Sequence, residues 1–126
     1  MNIRGLFVLV PVVVLGFAVS ASAAGSDTAG VQKIIQSQGC TGCHTAKEKL
    51  VGPAWDWVAW RYHGKPKKAS VNDVAKFIIS GGTGYWKKWT GGIPMPAHSN
   101  LSMAQARAIA RWVLDHPSLK PPKSGG

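Results

Sequence analysis

The chain has 126 residues, of which 15 are Lys or Arg and 5 are Asp or Glu, so its formal net charge is +10. Its length allows an N-terminal export signal and one domain of about 100 residues, which excludes a multidomain architecture. A basic excess of this size is typical of proteins that meet nucleic acid, anionic lipid or acidic protein partners. An exported protein does not meet nucleic acid in the cytoplasm, so the export signal at the N-terminus argues against nucleic acid as the partner.

The N-terminal segment predicts secretion to the periplasm. Arg4 supplies a short positive region, residues 6–19 form an apolar core, and residues 21–23 are an A-x-A cleavage site. The apolar core is short for a membrane span, which needs about 20 residues, so an uncleaved anchor is the alternative. Loss of Arg4 with the signal lowers the net charge by one, to +9. The predicted division is a cleaved signal at 1–23, a domain at 24–119 and a solvated tail at 120–126.

The first predicted helix covers residues 28–38. Val31 and Ile35 fall on one face at helical spacing, and Asp27 is a candidate N-cap. Gly39 is expected to end this helix. The helix therefore leads directly into a segment that contains cysteine.

Cys40-Thr41-Gly42-Cys43-His44 has the order C-x-x-C-H, which is typical of covalent attachment of a c-type haem. Two thiols three positions apart can form thioethers with the two vinyl groups of one porphyrin. His44 is then held beneath the iron as the proximal axial ligand. Since these are the only two cysteines in the chain, the motif predicts one covalently bound haem c.

Three other functions of a cysteine pair fit less well. A structural zinc site needs four ligands, and a second C-x-x-C is missing from the sequence. A thioredoxin-like redox pair expects a βαβ context, whereas no strand-like alternation surrounds Cys40. A disulfide across two intervening residues closes a very short loop and adds little stability. The export signal also favours haem, because bacteria attach c-type haem outside the cytoplasmic membrane.

Three tryptophans follow within six residues. Trp57 and Trp60 share one face of a short predicted helix that begins near Trp55. Stacking on a substrate is one interpretation of this cluster. Packing around the cofactor is favoured, because large aromatic side chains dominate small cores.

Two more helices are predicted from their capping residues. Ser70 and Asp73 form a weak capping box at the start of the second helix, which ends at paired glycines. Ser102 and Gln105 form a capping box for the third, which Pro117 closes. With these three main helices, the short helix near Trp55 and no sustained period-two alternation, the sequence predicts an all-α domain.

An iron that His44 binds has a second axial position, and five side chains are candidates for it: Met95, Met103, His63, His98 and His116. Met95 lies between Pro94 and Pro96, which stiffen an extended loop and can hold a weakly binding thioether in place. Met103 starts a helix and suits packing, and His116 at a helix C-terminus complements the helix dipole. Met95 is therefore the predicted distal ligand, with His63 and His98 as rivals.

These segments together resemble the short bacterial class I cytochromes c, which are periplasmic electron carriers. The likeness spans almost all of the mature sequence, and includes the Val-Gly-Pro-Ala segment at 51–54, the Ile-Pro-Met-Pro segment at 93–96 and the closing helix at 111–114. It implies a small all-α fold, with three main helices and short helical or loop segments wrapped around one covalent haem c.

The resemblance also implies two supporting contacts. In this family, the carbonyl group of a proline after the haem motif accepts a hydrogen bond from the proximal histidine, and here these residues are Pro53 and His44. The family also uses a tryptophan near the methionine loop to bond a haem propionate. Trp86 matches the local pattern, but residues 87–90 are inserted before the methionine loop, so Trp89 is a second candidate.

The predicted function is soluble periplasmic electron transfer without enzymatic activity. The haem iron cycles between Fe(II) and Fe(III) while both axial ligands stay bound. Acidic redox proteins are the expected transient partners, steered by positive charge around the haem edge. The lysines expected to ring this edge are Lys47, Lys49, Lys87 and Lys88. Alternatives are a haem subunit of a periplasmic dehydrogenase, and a haem enzyme or gas sensor in which His63 or His98 assists chemistry at an open sixth position.

Overall fold

The computed structural model describes residues 27–63 and 70–123. The predicted signal peptide and its cleavage site lie outside these residues, as does the last part of the predicted tail. Within these two ranges the chain forms five α-helices and two short 3₁₀ helices, with no β-strand. None of these helices combines the length and the apolar character that crossing a bilayer requires. The α-helices are α1 (Thr28–Ser37), α2 (Trp55–His63), α3 (Val71–Ser80), α4 (Lys87–Thr90) and α5 (Met103–Leu114).

Side-chain caps start the helices where the sequence predicts them. The Asp27 carboxylate accepts a hydrogen bond from the backbone N–H of Ala29 at the start of α1. Ser70 and Asp73 bond each other's backbone N–H groups at the start of α3. A second reciprocal box caps α5, where Gln105 is the third helical residue. These predictions are confirmed, because each cap satisfies orphan N–H groups through residues that are close in sequence.

Helix α5 is the centre of the apolar core and packs against α1, α2 and α3. Its small residues Ala106 and Ala110 are fully buried, which lets the neighbouring helices approach closely. The face that α1 presents to this core, with Val31 and Ile35, follows the predicted helical spacing. The large buried side chains of this core are Val31, Ile35, Val74, Ile78, Leu101, Ile109, Val113 and Leu114.

The chain after α5 folds back onto α2. The Leu119 N–H donates to the backbone carbonyl of Asp56 (3.2 Å), and Pro121 is buried. The predicted solvated tail is therefore wrong at Pro121, although Lys120 and Lys123 are exposed. A Pro-rich composition alone does not reveal that this proline is buried.

His116 also has a different environment from the predicted one. Its Nδ1 lies 3.0 Å from a carboxylate oxygen of Asp56, which is only 1% exposed, and its ring packs against Trp112 and Trp55. The predicted interaction of His116 with the helix dipole does not require a buried carboxylate partner, so this contact is an addition to the prediction. The pair joins α2 to the end of α5 across 60 positions of sequence.

Candidate haem site

A cavity of about 700 Å³ lies between the helices, in the size range of cofactor sites. Its walls come from α1, α2, α3, α4 and α5 and from the loops between them. Apolar side chains such as Ile35, Val58, Phe77 and Ile109 supply most of the lining. The helical core therefore encloses a large space with a few polar groups at fixed positions.

Cys40 and Cys43 lie on the wall of this cavity. Gly39 ends α1 in the left-handed region (φ 69°), and residues Cys40–Gly42 form a 3₁₀ helix that brings both side chains to the cavity. No disulfide joins the two residues, and burial raises the pKa of the Cys40 thiol. Redox-active cysteines of exchange enzymes have a lowered pKa instead, so the environment does not favour disulfide exchange.

His44 faces the same cavity and has a fixed tautomer. Its Nδ1 lies 2.7 Å from the carbonyl oxygen of Pro53, which can only accept a hydrogen bond. Nδ1 therefore carries the proton, and Nε2 keeps the lone pair that a metal needs. Burial lowers the pKa of His44, the Pro53 carbonyl opposes this shift, and nearby His98 adds to it. The neutral imidazole is the favoured form.

The loop between His44 and α2 holds Pro53 in place through backbone hydrogen bonds. The Gly52 N–H donates to the Cys43 carbonyl (2.8 Å), and the Trp55 N–H donates to the Thr45 carbonyl (3.0 Å). A Cβ atom at Gly52 would lie 2.5 Å from Cε1 of His44. Glycine is thus required where the loop passes the imidazole ring. The sequence shows a glycine in the Val-Gly-Pro-Ala segment but does not show this steric reason for it.

Met95 lies on the cavity wall in a loop that is paired with a distant residue. Its N–H donates to the Gly82 carbonyl and its carbonyl accepts from the Gly82 N–H, both at 2.9 Å. Gly81, in the left-handed region (φ 69°), leaves space where a Cβ would lie 2.5 Å from the Met95 carbonyl oxygen. These contacts add to the stiffness that the flanking prolines give.

The rivals of Met95 are placed differently. His98 lines a smaller hollow beside Met95 and His44, and its Nδ1 lies 3.3 Å from a side-chain oxygen of Gln38. Met103 packs against the apolar core. The His63 side chain lies outside the described part of the structure.

Of the first three tryptophans, only Trp55 lines the cavity within the described residues. Its ring is nearly parallel to that of His44, with centroids 6.3 Å apart. Trp57 packs against Ala54 and Trp86 in a separate apolar cluster. Trp57 shares its cluster with Trp86, which does line the cavity, so the packing of Trp57 and Trp60 around the cofactor stays a prediction.

The structure also separates the two tryptophans proposed for a propionate contact. Trp86 is buried and lines the cavity, at the end of a 3₁₀ helix over Gly84–Trp86. Trp89 packs against Trp86 and Tyr85, outside the described cavity lining, and its Nε1 is buried with no hydrogen-bond partner. Trp86 is therefore the better placed of the two.

The lining residues fit a haem. The wall carries two thiols, an imidazole with a free lone pair and a thioether, which are the groups that attach a c-type haem and bind its iron. Arg61 and Thr90, which also line the cavity, each bury a polar atom with no hydrogen-bond partner. A haem brings carboxylates that accept hydrogen bonds. The fold and site thus define a class of protein, the small helical proteins that hold one covalent haem.

Comparison with known proteins identifies the family. The cytochrome c profile matches residues 29–117, and the chain therefore belongs to the cytochrome c family. It is 43% identical over 82 residues to cytochrome c2 of Rhodocyclus tenuis, covering 64% of this chain and 86% of that protein. It is 39% identical to cytochrome c-552 of Hydrogenobacter thermophilus, covering 66% of this chain and 78% of that protein.

A solved structure agrees with this assignment. The crystal structure of wild-type cytochrome c552 of Nitrosomonas europaea has 35% identity and a TM-score of 0.56, and the match covers 66% of this chain and 95% of that one. The predicted all-α class I fold, the covalent haem c and the electron-transfer function are confirmed. The chain is an electron carrier with redox partners rather than an enzyme. The bound haem supplies its one-electron Fe(II)/Fe(III) couple.

Proposed function

We propose that this cytochrome c is a periplasmic electron carrier that binds its haem iron through His44 and Met95. Cys40 and Cys43 form the thioethers. The observation that carries this proposal is that all four side chains line one cavity. They come from two loops that are far apart in sequence and held by backbone hydrogen bonds.

Supporting contacts fit a carrier whose ligands stay bound in both oxidation states. The Pro53 carbonyl orients His44, which raises the basicity of the imidazole as a ligand. The pairing of Gly82 with Met95 holds the methionine backbone against the same space. Trp86 contributes its indole to the wall and bonds a haem propionate. Histidine and methionine ligation in an apolar surround favours a relatively high midpoint potential.

The docking surface lies where the cavity reaches solvent. Val51 and Ile93 line the cavity and are 39% and 55% exposed, and Leu50, which precedes Val51 in the sequence, is 49% exposed. Exposed Lys47 and Lys49 precede this apolar rim in sequence. An apolar contact area flanked by cations suits transient docking of an acidic redox protein, because charge accelerates encounter without making the complex tight.

A second pair of lysines adds to this positive field. Lys87 and Lys88 are exposed on α4, between the cavity-lining residues Trp86 and Thr90. Export through the N-terminal signal places the protein in the periplasm with its partners. The donor and the acceptor are thus acidic proteins that meet this face in turn.

The test measures electron transfer from the reduced protein to an acidic copper-containing acceptor by stopped flow. We expect the association rate to fall steeply as salt rises, because the Debye length shrinks from about 10 Å at 0.1 M to about 3 Å at 1 M. Reversal of Lys87 and Lys88 to Glu should lower the rate more than the same reversal of exposed Lys120 and Lys123, which changes the net charge equally.

Three results would contradict the proposal of a mobile carrier that docks through this face. Equal effects from the two pairs would mean that the charge acts only as a diffuse field. An association rate that does not change with salt concentration would mean that the lysines contribute to solubility alone. Tight copurification with one dehydrogenase would argue for a dedicated subunit instead of a mobile carrier.

A further inference from the structure

Arg61 on α2 is a partly buried cation that no acidic side chain neutralises. Its Nε is buried with no hydrogen-bond partner, and its guanidinium carbon lies 3.7 Å from the centroid of the Tyr85 ring. Among the described residues, no carboxylate forms a salt bridge with Arg61. An unpaired buried donor of a charged group is costly, so the position of Arg61 calls for an anionic acceptor.

A second buried donor lies on the same cavity wall. Thr90 ends α4, is 9% exposed, and its hydroxyl oxygen is buried with no partner. Arg61 and Thr90 both line the cavity but belong to different elements. Two unsatisfied donors on the lining of one cavity are both explained by an acceptor that occupies this cavity.

The acceptor chemistry follows from the cofactor. A haem carries two propionate carboxylates, and hydrogen bonds between arginine and a carboxylate are among the strongest in proteins. We propose that Arg61 and Thr90 form a carboxylate site for a haem propionate, with the Tyr85 ring holding the guanidinium in position. This inference rests on the assignment of the cavity to haem, and it is additional to the tryptophan contact.

The site has a consequence for the redox couple. A fixed positive charge beside the haem opposes the extra positive charge of the ferric state, and low-dielectric surroundings strengthen this effect. Arg61 therefore favours the reduced form and raises the midpoint potential. Asp73 on α3 also lines the cavity, so the net field depends on both groups. Tyr62 lies on the same wall, and burial raises the pKa of its hydroxyl, which keeps it uncharged near neutral pH.

The experiment compares purified holoproteins by spectroelectrochemical titration and resonance Raman spectroscopy. For Arg61→Gln we expect about a tenfold higher ferric-to-ferrous ratio at a fixed applied potential, which corresponds to a midpoint about 59 mV lower for one electron. The propionate bending band should shift as well. Thr90→Val should change both readouts in the same direction but less, and Thr90→Ser should restore them. Arg111→Gln, at an exposed arginine on α5, is the matched control.

The outcomes separate this inference from the proposed function. An Arg61→Gln protein with the same potential and Raman band as Arg111→Gln would overturn the carboxylate site. An unchanged Thr90→Val protein would overturn it too. Should Arg61→Gln give no holoprotein, Arg61→Lys keeps the charge but not the planar donors, and its Raman band should still shift. Failure of the haem assignment would appear earlier, as wild-type protein without attached haem.

Discussion

Replacement of Gly52 by alanine should displace the proximal histidine. The new Cβ would lie 2.5 Å from Cε1 of His44 and 2.9 Å from both ring nitrogens. Ordinary van der Waals contact begins at 3.4 Å, so the ring and the loop must separate by about 0.9 Å. The His44–Pro53 hydrogen bond is 2.7 Å long, and such bonds weaken beyond about 3.2 Å. The substitution therefore strains the contact that fixes the imidazole.

The expected cost follows from these two effects. Overpacking costs about 1–3 kcal/mol, and the weakened hydrogen bond adds roughly 1 kcal/mol, so we expect Gly52→Ala to lower the free energy of unfolding by about 2 kcal/mol or more. For a domain of this size that corresponds to a fall in Tm of roughly 10 °C. Thermal unfolding of the reduced holoprotein, followed by circular dichroism, measures it. A parallel titration should show a changed midpoint potential, because the ligand moves.

Gly42→Ala is the matched control for this test. A Cβ at Gly42 has no atom within 4 Å, so it should leave Tm within about 1 °C of the wild type. If Gly52→Ala unfolds at the wild-type temperature with an unchanged midpoint potential, the loop can move to accept the new Cβ without displacing His44. The account of how Pro53 orients His44 would then be refuted.

Two further substitutions test the supporting structure and the attachment. Asp56→Ala removes the carboxylate beside His116 and leaves the imidazole without its buried partner, so we expect the free energy of unfolding to fall by about 2 kcal/mol. The control is Asp115→Ala, at an exposed acid, which should have little effect. Equal denaturant midpoints for the two variants would argue against a stabilising Asp56–His116 pair. Cys40→Ala and Cys43→Ala should each reduce the yield of holoprotein, because the haem fills much of the core, and wild-type haem should resist extraction into acidified organic solvent. Haem released from the wild type would contradict covalent attachment.

The sequence predicts the parts of this fold that depend on neighbouring residues. The capping boxes at Ser70 and Ser102 act over three positions, and the C-x-x-C-H motif has a spacing that the porphyrin itself dictates. Helical spacing also predicts the apolar face of α1, where Val31 and Ile35 are buried. These features are local, so a linear sequence contains them in full.

The remaining features depend on contacts between distant residues. Asp56 meets His116 across 60 positions, and Met95 pairs with Gly82, for which no periodic pattern exists. In the sequence Arg61 is one of 15 Lys or Arg residues, and only the folded chain brings it over the Tyr85 ring. A sequence gives the residue types of such contacts, but only packing of the helices decides which of them meet.

The identity of the distal ligand is tested most directly by the oxidised optical spectrum of Met95→Ala beside that of Met103→Ala. A bond between methionine sulfur and ferric iron gives a weak charge-transfer band near the red end of the visible spectrum. We expect this band in the wild type and in Met103→Ala, whose side chain packs in the apolar core, and we expect its loss in Met95→Ala. A band that persists in Met95→Ala would contradict the proposed ligation, and its loss in Met103→Ala alone would move the ligand to that residue.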